Sequence, residues 1–321
     1  MFRRITDYRH LSVLGILICM ALCLGCDGSS GDGESGPKTF GNPQLVEIIG
    51  YPTASFQDVQ EPFISRDGQY LFFNTAESER NKDLLCAKWD TDQGAFVFQG
   101  EIQEVNTSEN VEANPTMDEN SNFFFIDTVA PPAWIHSGVF QPGTMSLVGD
   151  ASISGPPDIQ ISGSTATVNM GVEVSADGNT LYFSRAVFLN AGQPSQVISA
   201  SDILFAQKID DAFVYDEATA STIMQNINTS EDLEYAACIS EDELEFYFTR
   251  LVTSGIPGPT PDSQIMRAVR TNTTEAFGVP QSVDGIPNHI KFVEAPTIHG
   301  DVLYYHQFDN GGAKLYKVTR Q

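Results

Sequence analysis

A sequence unit that recurs five times constrains the fold of this chain more than any other feature. Each copy joins a short strand to an aromatic strand through a polar turn, as in PFISRDGQYLFFNT at 62–75. The other copies begin with PTMDENSNFFF, VEVSADGNTLYF, ACISEDELEFYF and PTIHGDVLYY, at Pro115, Val172, Ala237 and Pro296. A spacing of about 50 to 65 residues is typical of repeat architectures whose units contain several strands.

Two further strands complete the unit. The third strand repeats as DLLCAK (83–88), DILFAQ (202–207), QIMRAV (264–269) and KLYKVT (314–319), and only loosely as PAWIHSGVF (132–140). A fourth strand is predicted within 95–112 and again within 212–234, and both segments contain Asn-Thr-Ser-Glu followed three residues later by Glu. No segment has a sustained apolar period of 3.6 residues, so helices should be rare and the class is all-β.

The two ends of the repeat array complement each other. The segment FGNPQLV at 40–46 copies FGVPQSV at 277–283, while the fifth unit ends at Gln321 without a fourth strand of its own. We therefore predict a five-bladed β-propeller in which the N-terminal strand, within 39–49, closes the last blade. The predicted domain spans 39–321, with blades starting near residues 61, 112, 169, 234 and 294. A pair of β-sandwiches would explain the strands but not the complementary ends.

The repeat resembles a known family. Its pattern of a strand, Ser-x-Asp-Gly, an aromatic strand and then Asp-Ile-Leu, preceded by Ile-Asn-Thr-Ser-Glu, is similar to the WD-like repeat of bacterial envelope propellers, the TolB-like group. The resemblance covers about residues 40 to 321. It implies a propeller fold and a role in binding proteins or ligands, but it specifies no chemistry.

The first 25 residues are predicted to be an export signal. Arg3, Arg4 and Arg9 precede the apolar run LSVLGILICMALCLG, and the end of that run, LCLGC, resembles the lipobox of bacterial lipoproteins. That resemblance implies a lipid on Cys26, followed by a flexible tether over 26–38. The predicted location is the cell envelope, anchored by lipid on a periplasmic or surface face, with the leaflet left open. In the alternative, the segment is a plain signal or anchor and Cys26 is incidental.

Composition restricts the partners. The formal net charge of −25 argues against nucleic acid, which needs a basic surface. The sequence contains no G-x-S-x-G, H-E-x-x-H or G-x-x-x-x-G-K-[ST] pattern, so serine hydrolase, zincin and P-loop mechanisms lack a starting residue. We expect a monomer bound to the membrane through its lipid, with a protein or glycan partner.

A glutamate lies near the start of the first strand of every unit, namely Glu61, Glu112, Glu173, Glu234 and Glu294. The first four stand at odd offsets from the aligned unit starts, so strand alternation predicts that they share one side. Such a ring at the mouth of a central channel would suit a divalent cation or a basic peptide, and no other cofactor is expected. The competing interpretation is that these are ordinary solvated residues at the ends of strands.

Several other residues are assigned structural roles. Cys86 and Cys238 fall on strands of non-adjacent units and are predicted to be small buried side chains rather than a disulfide. Aspartates of the first turns are predicted to cap those turns, and the C-terminal histidines to be locally bonded rather than to bind zinc. Recurrent aromatic residues are predicted to pack between blades. These sets are Asp67, Asp177 and Asp242; His289, His299 and His306; and Phe72, Phe124, Tyr182, Tyr247 and Tyr304.

The leading functional prediction is a non-enzymatic binding or scaffolding module for a cationic partner or a metal ion. The alternative is a carbohydrate-active hydrolase that uses carboxylates from different blades, since glycosidases need one acid and one base or nucleophile. The candidates for that chemistry are Glu112, Glu234 and Asp232. An inert structural lipoprotein is a third option.

Overall fold

The structure is a computed structural model that describes most of the chain after residue 38. The described ranges are 39–52, 58–75, 82–108, 110–128, 135–148, 160–191, 193, 195–253, 262–309 and 312–321. The predicted export signal, Cys26 and the tether lie outside them. In the part of the chain that is described, no helix has the length and apolar character needed to cross a membrane.

More than half of the described residues lie in strands, which pair mainly antiparallel and which we group into units one to five by the repeat. Two short strands, β1 (Gln44–Leu45) and β2 (Ile48–Ile49), precede unit one. Unit one contains β3 (Gln60–Ile64), β4 (Tyr70–Asn74), β5 (Leu84–Asp90) and β6 (Ala95–Glu101). Unit two contains β7 (Glu112–Met117), β8 (Asn122–Asp127), β9 (Ile135–Gln141) and β10 (Ser146–Val148). In both units the strands are hydrogen-bonded in chain order, and β2 adds to the outer edge of unit one beside β6.

The remaining units follow the same order. Unit three contains β11 (Gln160–Ser162), β12 (Thr165–Val174), β13 (Thr180–Leu189), β14 (Val197–Ile209) and β15 (Ala212–Val214), and is followed by helix α1 (Glu217–Ile223). Unit four contains β16 (Leu233–Ile239), β17 (Glu245–Val252), β18 (Asp262–Val269) and β19 (Gln281–Ser282). Unit five contains β20 (Phe292–His299), β21 (Val302–Asp309) and β22 (Gly312–Thr319). A single parallel pair between β14 and β16 joins units three and four into one nine-stranded sheet.

The all-β prediction is confirmed, with one difference in unit three. The segment predicted to be its fourth strand forms only the three-residue β15 and then α1. Asp216 caps this helix by accepting a hydrogen bond from the Thr219 backbone N–H at 2.7 Å. The helix buries Ala220 and Ile223 against units three and four, so packing replaces the missing strand.

The two ends of the chain meet in one sheet. β1 pairs antiparallel with β22, with Gln44 opposite Lys317, and the Val46 N–H donates to the carbonyl of Leu315 at 2.9 Å. This is the pairing that the copied FGNPQLV segment predicts. Because β1 occupies the outer edge of unit five, that edge does not stay open for association with another chain.

The core is divided into clusters that fill the spaces between neighbouring units. Phe72 of unit one packs with Phe123 of unit two, and other clusters join units two and three, three and four, and four and five. A further cluster joins unit five to unit one, with Tyr304 and Leu315 against Leu71 and Phe73. The middle strands are consequently buried on both faces, as in β4, where all five residues are buried. The aromatic set predicted to pack between units is buried throughout, which confirms that prediction.

The close approach of Gly285 to the N-terminal segment predicts a difference in stability between two glycine variants. Gly285 has a φ of +79°, and a Cβ added there would lie 2.1 Å from the carbonyl oxygen of Gly41. Gly285→Ala should therefore lower the free energy of unfolding by about 2 to 4 kcal/mol through backbone strain and overlap. Gly50, with a φ of +76° and no described atom within 4 Å of such a Cβ, isolates the strain alone. Gly50→Ala should cost about 1 kcal/mol in denaturant unfolding, and equal costs for the two variants would contradict the close approach.

Candidate functional site

The same irregularity interrupts the first strand of every unit. In β3, β7, β12, β16 and β20 the pairing register shifts at one point, and one residue there has a left-handed backbone. These residues are Glu61 (φ 50°), Asn114 (φ 53°), Gly171 (φ 62°), Ala236 (φ 51°) and Ala295 (φ 52°). Such a residue is a β-bulge, which bends the strand and redirects its side chains, and bulges are frequent beside active sites. Four of the five are not glycine, and a left-handed conformation costs such a residue about 1 kcal/mol or more. The surrounding contacts must therefore stabilise this conformation.

The five bulges surround one central pocket. All of them line it, together with the residues that follow them, and the cavity volume is about 30 Å³. Because each strand contributes only two or three residues, a ligand in this pocket would contact residues from every unit.

Hydrogen bonds between units fix the backbone around this pocket. The Val174 N–H of unit three donates to Thr116 Oγ1 of unit two at 3.2 Å, and the Ile64 N–H of unit one donates to Thr297 Oγ1 of unit five at 3.2 Å. The bond from unit one to unit five connects the beginning of the repeat array with its end. The pocket is therefore bounded by a hydrogen-bonded set of strands rather than by loops.

Arg66, from the first turn of unit one, reaches across the pocket region to units three and four. Its guanidinium bonds Glu173 Oε1 at 2.9 Å, the carbonyl of Val174, and the carbonyl of Ile239 at 3.4 Å. Only 9% of the Arg66 side chain and 4% of the Glu173 side chain are exposed. Burial raises the pKa of Glu173, while the charge of Arg66 and the hydrogen bonds from Thr116 and Arg66 act in the opposite direction. We assign this pair to holding units one, three and four together.

Glu61 is a pocket carboxylate with one oxygen free to act. Its Oε1 accepts an ion-pair contact from Lys82 Nζ at 3.2 Å, and 21% of its side chain is exposed. Its Oε2 is buried and has no hydrogen-bond partner among the described residues. A buried acceptor without a donor is costly, so this oxygen is a natural contact for a ligand hydroxyl or a water molecule.

Glu294 of unit five belongs to the same group of side chains. Its Oε2 accepts from the Tyr235 hydroxyl at 2.6 Å and its Oε1 contacts His306 Nε2 at 2.9 Å, while His306 Nδ1 accepts the Glu61 N–H at 3.1 Å. Burial acts to raise the pKa of Glu294, but the hydrogen bonds from His306 and Tyr235 and the charge of Lys82 outweigh it. The pKa of Glu294 therefore lies below its ordinary value, and the carboxylate is ionised at neutral pH.

Glu112, at the start of β7, lies in an environment that raises its pKa, unlike that of Glu294. It is fully buried, its Oε1 accepts from Thr107 Oγ1 at 2.8 Å, and its Oε2 has no hydrogen-bond partner in the described part of the chain. Burial raises the pKa of Glu112 to about 7, the bonds from Thr107 oppose this, and the negative charges of Asp127 and Asp83 add to it. Its backbone N–H donates to the carbonyl of Lys82 at 2.9 Å, which places Glu112 next to the residue that pairs with Glu61.

Glu234 occupies the position of Glu112 in unit four, with a different neighbour across the strand. Thr229 of the repeated Asn-Thr-Ser-Glu segment donates to Glu234 at 3.0 Å, as Thr107 does to Glu112. Opposite Glu234 is Arg250, with a contact of 2.8 Å, whereas opposite Glu112 is Asp127. Unit four thus has a neutralised pair where unit two has two facing carboxyl groups.

The five glutamates of the predicted ring do not occupy equivalent positions. Glu61 is the bulge residue itself, Glu112 and Glu234 lie two residues before their bulges, Glu294 one before, and Glu173 two after. The bulge adds a residue to each strand and so interrupts the alternation on which the one-sided ring was based. Glu61 and Glu173 line the pocket, and Glu61, Glu112 and Glu294 are linked through Lys82 and His306. Joint binding of a ligand by all five stays a prediction.

The predicted turn caps and buried cysteines are confirmed. Asp67, Asp177 and Asp242 each accept the backbone N–H two residues later in their turns. Cys86 and Cys238 are buried free thiols. Of the histidines, His289 contacts Asp262 at 2.5 Å and His306 lies in the network above. Within the described ranges, no group of three or more His, Cys, Asp or Glu residues is arranged to hold a metal ion.

Sequence reasoning missed Lys82 and Tyr235, and it assigned His306 only a local bond. The environments of Glu61, Glu112 and Glu294 differ because of contacts made by Lys82, Tyr235 and His306. No motif marks them, because each belongs to a different unit. The strongest available signal was that the repeated Asn-Thr-Ser-Glu segment is followed three residues later by Glu112 and by Glu234.

Comparisons with known proteins identify similar folds only among solved structures. No family model matches the chain, and no curated protein has a matching sequence. The catalytic domain of an α-L-arabinofuranosidase of family GH62 from Coprinopsis cinerea is 14% identical, with 88% of this chain and 96% of that chain covered and a TM-score of 0.41. A thermostable family-43 glycoside hydrolase is 12% identical, with 86% and 92% covered and a TM-score of 0.46. TolB from Acinetobacter baumannii is 10% identical, with 82% and 55% covered and a TM-score of 0.38.

The leading functional prediction is corrected by this comparison. The prediction of a non-enzymatic binding module is wrong, because the similar structures include an α-L-arabinofuranosidase and a family-43 glycoside hydrolase, the class of the alternative prediction. At 10 to 14% identity these matches concern the fold. The chemistry is therefore argued below from the residues of this chain.

Proposed function

We propose that this protein is a carbohydrate-active hydrolase whose reacting carboxyl groups are Glu112 and Glu61. The observation that carries the proposal is that two glutamates in different environments both contact Lys82, Glu112 through its backbone N–H and Glu61 through its carboxylate. Glu112 is buried with a raised pKa, whereas Glu61 is partly exposed in the pocket and has a carboxylate oxygen without a hydrogen-bond partner. Two carboxyl groups whose environments differ in this way are the requirement for cleaving a glycosidic bond.

The proposed step consumes one water molecule. Glu112 donates its proton to the oxygen of the glycosidic bond as the bond from that oxygen to the anomeric carbon breaks. A water molecule attacks the anomeric carbon, and the Glu61 carboxylate accepts the proton that the water loses. The products are two sugars with free hydroxyl groups, and solvent returns the proton from Glu61 to Glu112.

The surrounding charges suit this division of roles. Lys82 forms an ion pair with Glu61 at 3.2 Å. Ionised Glu294 supplies negative charge near the place where a sugar ring becomes positive in an oxocarbenium-like transition state. Both of its oxygens accept hydrogen bonds, so Glu294 stabilises charge and Glu61 has the free oxygen.

Glu61→Gln tests the proposal. The glutamine keeps the size of the side chain but cannot accept a proton, so kcat on a cleaved oligosaccharide should fall by about 10²- to 10⁴-fold. The measurement is release of reducing sugar from a panel of oligosaccharides that differ in sugar and linkage, compared between the wild-type protein and the variant.

Glu101→Gln is the matched control, because Glu101 is an exposed glutamate of the same unit at the end of β6. It should leave kcat unchanged. Absence of turnover by the wild-type protein on every member of the panel, or equal turnover by Glu61→Gln, would remove the proposal.

The finer fold and location predictions are kept as proposals. We infer that units one to five are the blades of a five-bladed propeller over 39–321, which is supported by five equivalent bulges around one pocket and by packing of unit five against unit one. An envelope location with a lipid on Cys26 is supported by the sequence of the first 26 residues.

A further inference from the structure

His306 contacts both Glu61 and Glu294. It lies on β21, and 1% of its side chain is exposed. Nδ1 accepts the Glu61 backbone N–H at 3.1 Å, and Nε2 lies 2.9 Å from Glu294 Oε1. The first contact is with the left-handed residue of β3, the second with the residue before the bulge of β20.

These two contacts fix where the imidazole carries its proton. Nδ1 faces a donor, so it must be the unprotonated nitrogen. Nε2 faces a carboxylate and must donate. His306 is therefore the neutral tautomer with its proton on Nε2, and a proton added to Nδ1 would break its bond to Glu61.

The Glu61 backbone needs such support. At a φ of 50°, a glutamate pays a conformational cost that a regular strand would relieve, and a regular strand would redirect its side chain. The bond from the Glu61 N–H to His306 stabilises the left-handed conformation. The carboxylate that this conformation presents has one buried oxygen, Oε2, without a hydrogen-bond partner among the described residues, and Glu61 is a residue that lines the pocket.

We propose that His306 is a positioning residue, which holds the Glu61 carboxylate in its reactive orientation by accepting the Glu61 N–H at Nδ1. The proposal rests on the hydrolase function above. It assigns to His306 no contact with substrate and no proton transfer.

Other units of the chain contain the same device with different residues. Asn74 Oδ1 accepts the N–H of the bulge residue Asn114 at 3.3 Å, and Thr249 Oγ1 accepts that of Ala295 at 3.0 Å. Asn74, Thr249 and His306 all stand opposite the residue that precedes the bulge of their own unit. A short polar acceptor is therefore sufficient at this position, and the chain itself supplies a conservative replacement for His306.

The groups that face His306 are few. Glu294 lies at Nε2, the Glu61 peptide at Nδ1, and the Phe308 ring 5.4 Å away. Lys82 and Tyr235 act on it through the two glutamates. Loss of the imidazole therefore changes Glu294 and Glu61 together, and the test must separate the two.

A pair of variants makes that separation. His306→Asn keeps an acceptor for the Glu61 N–H, as Asn74 does in unit one, and His306→Leu removes it. Both lose the contact with Glu294. We expect kcat of His306→Leu to fall by about 100-fold, the effect of a displaced reacting group, while His306→Asn stays within about fivefold of the wild type.

Two spectroscopic measurements test the same inference without turnover. Nitrogen-15 spectra should show His306 as the Nε2-protonated neutral tautomer, with the signal assigned by its loss in His306→Asn. Exchange of the Glu61 amide hydrogen with solvent should be at least about tenfold faster in His306→Leu than in the wild type, and close to wild type in His306→Asn.

The outcomes distinguish this inference from the proposed function. If Glu61→Gln abolishes turnover but His306→Leu keeps it, or if the Asn and Leu variants lose equal activity, His306 does not position Glu61. If the wild type cleaves no sugar, the hydrolase proposal fails, and the amide exchange and the tautomer then decide whether His306 holds the Glu61 backbone.

Discussion

Arg66→Met is expected to lower the free energy of unfolding by about 3 to 5 kcal/mol, because it leaves the buried carboxylate of Glu173 without its cation. The side chains of this pair are only 9% and 4% exposed, and Arg66 also bonds carbonyl groups of units three and four. Methionine fills a similar volume, so the loss reports mainly the unpaired charge. Denaturant unfolding of the two proteins measures it.

The loss should depend on pH. Burial already raises the pKa of Glu173, and removing Arg66 takes away the charge that lowers it, so folded Arg66→Met holds the Glu173 proton more tightly. A raised folded-state pKa gives stability at low pH that is lost as the pH rises. The difference from the wild type should therefore be smallest in acid and grow toward neutral pH.

Two further variants test whether the loss of stability comes from the unpaired buried charge. Adding Glu173→Gln to Arg66→Met should recover much of the stability, since the buried charge is then removed. Lys291→Met breaks an ion pair in which 46% of the lysine side chain is exposed, and should cost about 1 kcal/mol or less. An Arg66→Met protein as stable as Lys291→Met would show that Arg66 does not hold the units together.

Glu112→Gln is expected to lower kcat on a cleaved oligosaccharide by about 10²- to 10⁴-fold, because the amide cannot donate the proton that the leaving oxygen needs. Glutamine keeps the size of the side chain and an oxygen that can accept from Thr107. Initial rates at saturating substrate measure the effect.

Glu234→Gln is the matched control for Glu112→Gln. It changes the same position in unit four, where the carboxylate pairs with Arg250 instead of facing an aspartate. It should lower the midpoint of thermal unfolding while leaving kcat within about threefold. If both variants lose activity in proportion to their loss of stability, Glu112 has a structural role only.

The repeat predicted much of the fold because strand pairing depends on patterns that one sequence displays. The five aligned starts, Pro62, Pro115, Val172, Ala237 and Pro296, each directly follow a bulge residue in the structure. The copied FGNPQLV segment likewise predicted the partner of β1. Both signals are local runs of several residues, which tertiary packing reinforces.

The bulges could not be predicted, and with them the placement of the glutamates. The left-handed residues are Glu, Asn, Gly, Ala and Ala, which share no property in the sequence. Their conformation is fixed by neighbours in another unit, such as Asn74, Thr249 and His306. One inserted residue then reverses the alternation of side chains along the strand. The one-sided ring was predicted on the assumption that this alternation is unbroken.

The contrast between Glu112 and Glu234 was hidden by a difference in turn length. Thr116 pairs with Phe124, eight residues later, whereas Cys238 pairs with Tyr247, nine residues later. An alignment without a gap therefore places Asp127 beside Thr249, although in space it corresponds to Arg250. A gap in the polar turn of unit two would have shown that one unit has a carboxyl group where the other has a guanidinium.

The dependence of kcat on pH tests most directly the claim that Glu112 is the proton donor of a sugar-cleaving site. A general acid must be protonated, so kcat of the wild type should fall as the pH rises through about 7, where burial places the pKa of Glu112. Asp127→Asn removes a negative charge that raises this pKa and should move the fall to lower pH. A wild-type rate that is constant through this region, or a fall that Asp127→Asn does not move, would contradict the account.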